Sequence, residues 1–302
     1  MTDLVTRPAV DDPGLDDIAA LLVATRLRNV FRVNAVVSGS TGLACALAAP
    51  GIADVLEVER APVGLTGLGL VGFAIALGLL SGARHGQLVA LGRVIGGADL
   101  AWVVASMVLV TAGVFGAVGA VVVVAVGAIV GAFALLEIRG AAAIAASHAV
   151  PDVEPPFEAI SVAAAVDAPA DRAWPVVTDH ELYGRLAPNL GQVEVTAGDG
   201  PGLARRCYDA KGRAWTETCT LWEDGRRFAV AVDTSDYPYP LAVMRGSWAV
   251  EPIAADRSRF VMSFLFQPRA GVRGRAFVWV MHAVFPLVLR RILRGWRQAA
   301  TV

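Results

Sequence analysis

The sequence predicts two structural parts, an α-helical transmembrane bundle of four spans and a soluble α+β domain. Residues 33–140 are almost uninterruptedly apolar, and the whole chain is 56% hydrophobic with a mean hydropathy of +0.58. Residues 157–302 instead carry 18 Lys and Arg against 15 Asp and Glu, an ordinary globular balance. We therefore expect an acidic tail and juxtamembrane helix at 1–32, a membrane domain at 33–140, a Pro- and acid-rich linker at 141–158 and the soluble domain at 159–302.

The membrane part consists of four apolar blocks, at residues 33–53, 62–83, 94–114 and 117–136. Each is close to the roughly 20 residues that a helix needs to cross about 30 Å of hydrocarbon. The backbone must satisfy its own hydrogen bonds in lipid, which favours helices over strands. The alternative is a hydrophobic soluble core, but a soluble helix carries a polar stripe, and block 117–136 has none.

The distribution of charge around these blocks predicts a topology. Arg26, Arg28 and Arg32 directly precede the first block, and the loop at 54–60 is net acidic. By the positive-inside rule, the arginines lie in the cytoplasm and the acidic loop lies outside. The three cysteines form no CxxC motif, which fits a reducing compartment. We therefore expect a multi-pass protein of the inner (plasma) membrane with both termini in the cytoplasm.

Two carboxylates fall within the apolar blocks, Asp99 in the third and Glu137 at the close of the fourth. An intramembrane carboxylate is by default a functional hypothesis. The alternative is that both are hydrated at the cytoplasmic face or paired with Arg93 or Arg139. The sequence leaves both possibilities open.

The segment 67–72 matches a dinucleotide-binding fingerprint, with glycines at 67, 69 and 72. That motif needs a preceding strand and a phosphate-facing helix start, and here it lies inside an apolar span. These glycines, with the pairs at 78/82 and 127/131, are instead expected to let helices approach closely.

The soluble part begins with an apolar strand at 160–166 and a helix start marked by Pro169 and Asp171. Evenly spaced apolar runs with Gly, Asp and Pro turns follow, which predicts an antiparallel meander. These runs are 193–197, 203–208, 214–222, 227–233, 241–251 and 258–267, and a helix is expected from 273 to 300.

The ordered features of this part resemble the START-like (SRPBCC) superfamily, in its polyketide cyclase/dehydrase and lipid-transport branch. The resemblance covers residues 160–300. It is carried by Val166-Asp-Ala-Pro169 with Trp174, Thr178-Asp179, Pro188-Asn189, Gly200 and Gly202, Gly212 before Trp215-Thr-Glu217, and Trp248. It implies a helix-grip fold, in which a curved antiparallel sheet holds the long terminal helix and encloses an apolar ligand cavity.

Strand alternation indicates which side chains would face such a cavity. On 214–222, the face with Trp215, Glu217 and Cys219 is more apolar than the face with three threonines and Trp222, so we expect it to point inward. Phe260 and Phe266 are also expected inward. The predicted ligand-binding residues are Tyr208, Trp215, Glu217, Cys219, Phe228, Met244, Trp248, Met262, Phe264 and His282.

Glu217 is the one weak catalytic candidate. A carboxyl group desolvated in an apolar enclosure has a raised pKa and can act as acid or base. Alternatively, Glu217 pairs with an arginine such as Arg206 or faces solvent. His282 on an apolar helix face is more often a satisfied core histidine, and the aromatic face at 260–266 is core packing as readily as ligand lining.

Two functions from different classes follow. One is a membrane-tethered cytoplasmic module that binds or transfers an apolar, lipid- or polyketide-like molecule, and the other is a cyclase or dehydratase that uses acid/base residues in the cavity. The sequence contains no Ser-His-Asp set, metal cluster, P-loop or basic patch with interleaved aromatics, so we expect no cofactor, metal or nucleic acid. The expected partners are the bilayer, the apolar ligand and anionic lipid head groups at Arg290, Arg291, Arg294 and Arg297.

Overall fold

A computed structural model describes residues 17–301. The expected acidic tail, up to residue 16, lies outside this range. The described chain divides into two compact units, residues 23–153 and residues 154–301, with residues 17–22 assigned to the second.

The first unit is helical. Its elements are α1 (Ile18–Leu47), α2 (Ala49–Leu56), α3 (Arg60–Leu80), α4 (His85–Thr111) and α5 (Ala117–Ala145). The predicted juxtamembrane helix and first span are one continuous helix, α1, since the chain between them contains neither proline nor glycine. The first span ends earlier than expected because Pro50 occupies the first turn of a new helix, α2.

Glycines bring the long helices into close contact. A Cβ on Gly67 would lie 2.7 Å from the carbonyl oxygen of Gly42, where α3 meets α1. A Cβ on Gly96 would lie 2.9 Å from the carbonyl oxygen of Ala134, where α4 meets α5. The predicted packing role is confirmed at Gly67, whereas the predicted glycines at 69, 72, 78 and 131 face open space.

The two carboxylates of the apolar blocks are bound by the same side chain on a third helix. Asp99 of α4 and Glu137 of α5 are 6% and 0% exposed, and both accept hydrogen bonds from the side-chain amide of Asn34 on α1. Arg93 and Arg139, the predicted partners in the alternative interpretation, are exposed on the helix surface. The arginine-pairing alternative is therefore wrong, because both carboxylates point into the bundle and are bonded by Asn34 instead. Hydration at the cytoplasmic face stays a prediction.

The second unit is an α+β domain. Its strands are β1 (Glu158–Val166), β2 (Leu190–Ala197), β3 (Ala204–Asp209), β4 (Ala214–Glu223), β5 (Arg227–Val232), β6 (Leu241–Ala254) and β7 (Arg257–Pro268). They form one antiparallel sheet in the order β1-β7-β6-β5-β4-β3-β2. Its helices are α6 (Ala170–Thr178), α7 (His180–Leu186) and α8 (Val272–Ala300).

The terminal helix α8 packs on β1 and β7 and buries Leu289, Leu293 and Trp296. An antiparallel meander and a long helix packed against it confirm the helix-grip-like architecture that the resemblance implied. Apolar residues of all three helices and of β1, β5, β6 and β7 contribute to one core cluster.

Five described helices, α1, α3, α4, α5 and α8, are long and apolar enough to cross a membrane. The sequence predicts four spans and assigns the helix at 273–300 to the soluble domain. Length and composition therefore do not fix the number of spans. In the structure, α8 is part of the sheet-containing core.

A β-bulge alters the predicted faces of β4. Its register against β5 shifts between Cys219 and Leu221, and one residue is left unpaired. Trp222 was expected on the outer face with the threonines. Beyond the bulge it instead packs against Trp174 and Phe228, with ring centroids 5.5 and 5.4 Å away.

Candidate functional site

The candidate site lies where β3 and β4 pair. Arg205 is directly opposite Glu217, and Cys207 is directly opposite Trp215. These four side chains share one face of the two strands, because residues two apart along a strand point the same way. Arg205 and Cys207 are fully buried, and Glu217 is 8% exposed.

Arg205 and Glu217 form a buried ion pair. The guanidinium donates from Nε and Nη2 to Glu217 Oε2, at 2.8 and 2.6 Å. The indole nitrogen of Trp215 donates to the other carboxylate oxygen, Oε1, at 2.8 Å. The carboxylate therefore accepts three hydrogen bonds from side chains that point inward with it.

The guanidinium is also fixed from its other sides. Its centre lies 5.1 Å from the ring of Tyr183 and 5.0 Å from the ring of Trp248, distances typical of cation–π contacts. Arg205 Nη1 lies 3.0 Å from His180 Nδ1. Because a guanidinium only donates, Nδ1 is the acceptor and the neutral imidazole carries its proton on Nε2.

The surrounding titratable groups are held neutral at pH 7. Burial, reinforced by the charge of Arg205, lowers the pKa of His180 to about 4. Burial raises the pKa of Tyr183, Tyr237 and the Cys207 thiol well above their ordinary values. A buried thiol with a raised pKa is a poor nucleophile, so the charge of this cluster resides in the ion pair.

An aromatic series leads from the ion pair to α8. The ring of Tyr237, in the loop between β5 and β6, lies edge-on to Trp215 at 5.2 Å. Tyr237 contacts Tyr239 at 5.3 Å, and Tyr239 stacks on Phe277 of α8 at 5.6 Å. The Tyr237-Pro-Tyr-Pro240 loop therefore bridges the sheet and the start of the helix.

Aromatic side chains occupy much of the space between the sheet and α8. Phe228 stacks on Trp248 at 5.0 Å, and Phe264 lies between Trp248 and Phe285. The indole nitrogens of Trp248 and Trp296 are buried without a protein acceptor among the described residues. A buried donor without an acceptor costs about 1–3 kcal/mol, so these two N–H groups are unusual in a native core.

The structure brings most of the predicted ligand-binding residues to this side of the sheet. Trp215 and Glu217 are in the ion-pair cluster, and Cys219 follows on the same strand, its thiol 3.2 Å from the carbonyl oxygen of Leu221. Five others lie in the core cluster, namely Phe228, Met244, Trp248, Met262 and Phe264, together with Phe260 and Phe266.

Two predicted residues lie elsewhere. Tyr208 shares the outer face of β3 with the exposed Arg206, whose guanidinium lies 5.9 Å from the Tyr208 ring, since the buried positions of β3 are 205, 207 and 209. The expectation that Tyr208 points inward is wrong for that reason. His282 Nε2 lies 3.0 Å from Glu158 Oε2, which agrees with the alternative of a satisfied core histidine.

Sequence reasoning missed the partner of Glu217 and its surroundings. It named Arg206, but the partner is Arg205, one residue earlier and on the opposite face. Adjacent arginines on a strand must point to opposite sides, so one of them faces the core. His180, Tyr183 and Tyr237 carried no local signal, because loops and short helices bring them to the strands.

Comparison with known proteins supports the family resemblance. Residues 158–300 match the family described as polyketide cyclase / dehydrase and lipid transport, which confirms the resemblance for this half of the chain. No curated protein matches the sequence.

Three solved structures illustrate the similarity. The Zhui aromatase/cyclase from Streptomyces sp. R1128 is 20% identical, over 48% of this chain and 94% of that one, with a TM-score of 0.42. TTHA0849 from Thermus thermophilus is 17% identical, over 47% and 97% of the two chains, with a TM-score of 0.40. A truncated norcoclaurine synthase from Thalictrum flavum is 16% identical, over 47% and 92%, with a TM-score of 0.39.

Proposed function

We propose that the C-terminal domain binds an apolar small molecule with a single polar group, and that the helical unit tethers it to the membrane in which such molecules dissolve. The observation that carries the proposal is the pair of buried indole donors, Trp248 and Trp296, in an interior that is otherwise aromatic. Buried donors normally have acceptors. A ligand oxygen would satisfy the Trp248 donor while its apolar body contacts the surrounding rings.

The ligand enters past the Tyr237-Pro-Tyr-Pro240 loop. This loop contacts the sheet at Trp215 and α8 at Phe277 through aromatic rings, so an apolar molecule can replace those contacts. Entry displaces the two tyrosines from their neighbours and brings the ligand past Trp215. The polar group of the ligand then accepts a hydrogen bond from the Trp248 N–H.

Binding accounts for this site better than acid–base catalysis. Glu217 accepts three hydrogen bonds, two of them from the Arg205 guanidinium. A substrate that reached the carboxylate would have to displace one of these donors. A cyclase or dehydratase activity is the competing function, and the family match is consistent with it.

We further propose that α1, α3, α4 and α5 span the membrane with both termini in the cytoplasm. Large apolar side chains project outward from these helices, among them Leu65, Val94 and Val121, each 69% exposed. Apolar surface of this extent is costly in water and suits lipid. The arginines before Val33 and the acidic loop at 54–60 support the orientation.

The terminal helix supports an interaction with anionic lipid. Val280, Val284 and Leu287 form an exposed apolar stripe on α8, each at least 50% exposed. Arg290, Arg291, Arg294 and Arg297 follow in the next two turns, and all four are exposed. An apolar face followed by arginines is typical of a helix that lies in the head-group region of a membrane.

The test of ligand binding uses the full chain in phosphatidylcholine nanodiscs and three naphthalene probes. 2-Naphthol carries one hydroxyl group, naphthalene carries none, and 2-naphthoate carries a charge. In equilibrium dialysis, nanodiscs that contain the protein should bind 2-naphthol saturably, whereas empty nanodiscs should not. Naphthalene and 2-naphthoate should each bind at least tenfold more weakly.

The variant Trp248→Phe keeps an aromatic ring but removes the unpaired donor, and should weaken 2-naphthol binding at least tenfold. Trp174→Phe is the matched control, because Trp174 Nε1 already donates to Asp224 Oδ1 at 3.1 Å. Equal binding by wild type and Trp248→Phe, or no saturable binding of 2-naphthol, would contradict the proposal. Chemical conversion of a bound polyketide-like substrate that is lost in Glu217→Gln would favour the enzymatic alternative.

A further inference from the structure

A second site lies inside the helical unit. A cavity of about 380 Å³ opens between α1, α3, α4 and α5, and all four helices contribute to its lining. Its polar wall consists of Ser38, Thr41, Thr66 and Asp99, and Trp102 lies one turn beyond Asp99 on α4. The rest of the lining is apolar, including Phe73 and Val130.

Asp99 connects this cavity to a buried acidic network. Asn34 donates to Asp99 Oδ2 at 2.9 Å and to Glu137 Oε1 at 3.0 Å, both from the same nitrogen. Ser38, which also lines the cavity, donates to Asn34 Oδ1 at 2.9 Å. One amide nitrogen therefore holds two carboxyl groups close together.

The network contains more acceptors than donors. Glu137 is fully buried, and its second oxygen, Oε2, has no hydrogen-bond partner among the described residues. Within residues 17–301, no Lys, Arg or His side chain pairs with Asp99 or Glu137. Two carboxyl groups without a basic partner in an apolar medium are strongly unfavourable as anions, so a positive group at the cavity would be stabilised there.

We infer that this cavity binds an organic monocation with an apolar body, with Asp99 as its counter-ion. The ammonium group would lie against Asp99 and over the ring of Trp102, because aromatic faces attract cations. The apolar body would fill the space lined by Phe73 and Val130. This site is separate from the proposed site in the C-terminal domain and does not depend on it.

The experiment uses the full chain in phosphatidylcholine nanodiscs, whose zwitterionic lipids carry no net charge to attract cations. The probe is radiolabelled trimethylphenylammonium, and its uncharged isostere tert-butylbenzene serves as competitor. We expect saturable binding of about one probe per chain and at least tenfold weaker competition by tert-butylbenzene.

Variants separate charge from shape. Asp99→Asn removes the charge with little change of volume and should weaken probe binding at least tenfold, whereas Asp54→Asn, at an exposed acidic residue, should leave it unchanged. Val130→Trp fills the cavity without changing a charge and should abolish binding. Size-exclusion profiles establish that each variant remains folded, and Val130→Trp keeps the test decisive if Asp99→Asn does not fold.

Equal binding of the cation by wild type and a folded Asp99→Asn variant would overturn the inference. Equal competition by the uncharged isostere, or no saturable binding of the cation, would overturn it as well. None of these outcomes affects binding of 2-naphthol, which is measured at the other site.

Discussion

The buried ion pair between Arg205 and Glu217 predicts a strong, non-additive effect on stability. Arg205→Met removes the guanidinium and leaves a carboxylate that is 8% exposed without its counter-ion. Removing one partner of a buried pair typically costs about 3–5 kcal/mol. We expect the free energy of unfolding of the C-terminal domain to fall by that amount.

The double variant Arg205→Met/Glu217→Gln removes both charges but keeps an oxygen to accept the Trp215 N–H. It should be more stable than Arg205→Met alone, with a coupling energy of at least about 2 kcal/mol in the double-mutant cycle. The control Arg206→Met changes the neighbouring arginine on the outer face. Its effect should stay within about 0.5 kcal/mol, as is usual for a surface substitution.

Urea unfolding of the full chain in nanodiscs, followed by tryptophan fluorescence, measures these values. Six of the seven tryptophans lie beyond residue 153, so the signal reports mainly on the C-terminal domain. If Arg205→Met destabilised the domain by less than about 1 kcal/mol, or if the two substitutions were additive, the ion pair would not be a buried, mutually dependent unit.

Four further predictions can be tested on the full chain. The pKa of His180 is lowered from 6.5 to about 4, so on acidification the unfolded state binds this proton before the folded state does. The free energy of unfolding should therefore fall by about 3 kcal/mol as the pH drops from 6.5 through 4. In urea titrations, His180→Gln should lessen this fall. Gly96→Leu should separate α4 from α5 and lower the melting temperature measured by circular dichroism, because a Cβ there already meets a carbonyl oxygen at 2.9 Å. A cysteine at Glu57 should react with an impermeant maleimide only from outside the cell, and reaction only from the cytoplasm would refute the topology. In nanodiscs, a cysteine at Val284 should be protected from maleimide by anionic lipid, whereas one at Ile253, also 50% exposed, should not; equal labelling would refute the α8 contact.

Local patterns predicted most of the fold. Each expected strand of the meander is present, because period-two apolar runs and turn residues determine strands locally. The inward orientation of Trp215 and Glu217 followed from the same alternation. The alternation failed at Trp222, because a single unpaired residue in β4 reverses the faces beyond it.

The components of both sites that come from distant segments could not be predicted. His180, Tyr183 and Tyr237 reach the ion pair through tertiary packing, and no spacing in the sequence encodes their proximity. In the helical unit, the sequence marks Asp99 and Glu137 as unusual, but no pattern in it points to Asn34 as their partner. Its position between the two carboxyl groups depends on how three helices pack.

The ion pair also has a consequence for which molecules the C-terminal domain accepts. Arg205 and Glu217 together carry no net charge, yet they lie in a fixed orientation with the guanidinium buried more deeply than the carboxylate. Such a pair acts as an oriented dipole. It can orient a polar group of the ligand, but it has no net charge with which to neutralise an ion. A hydroxyl or carbonyl group can align with it, whereas a carboxylate or an amine would have to give up its hydration without gaining a counter-ion. The interior therefore discriminates by ionisation state, and the same molecule should be bound or rejected according to whether the surrounding pH leaves it neutral.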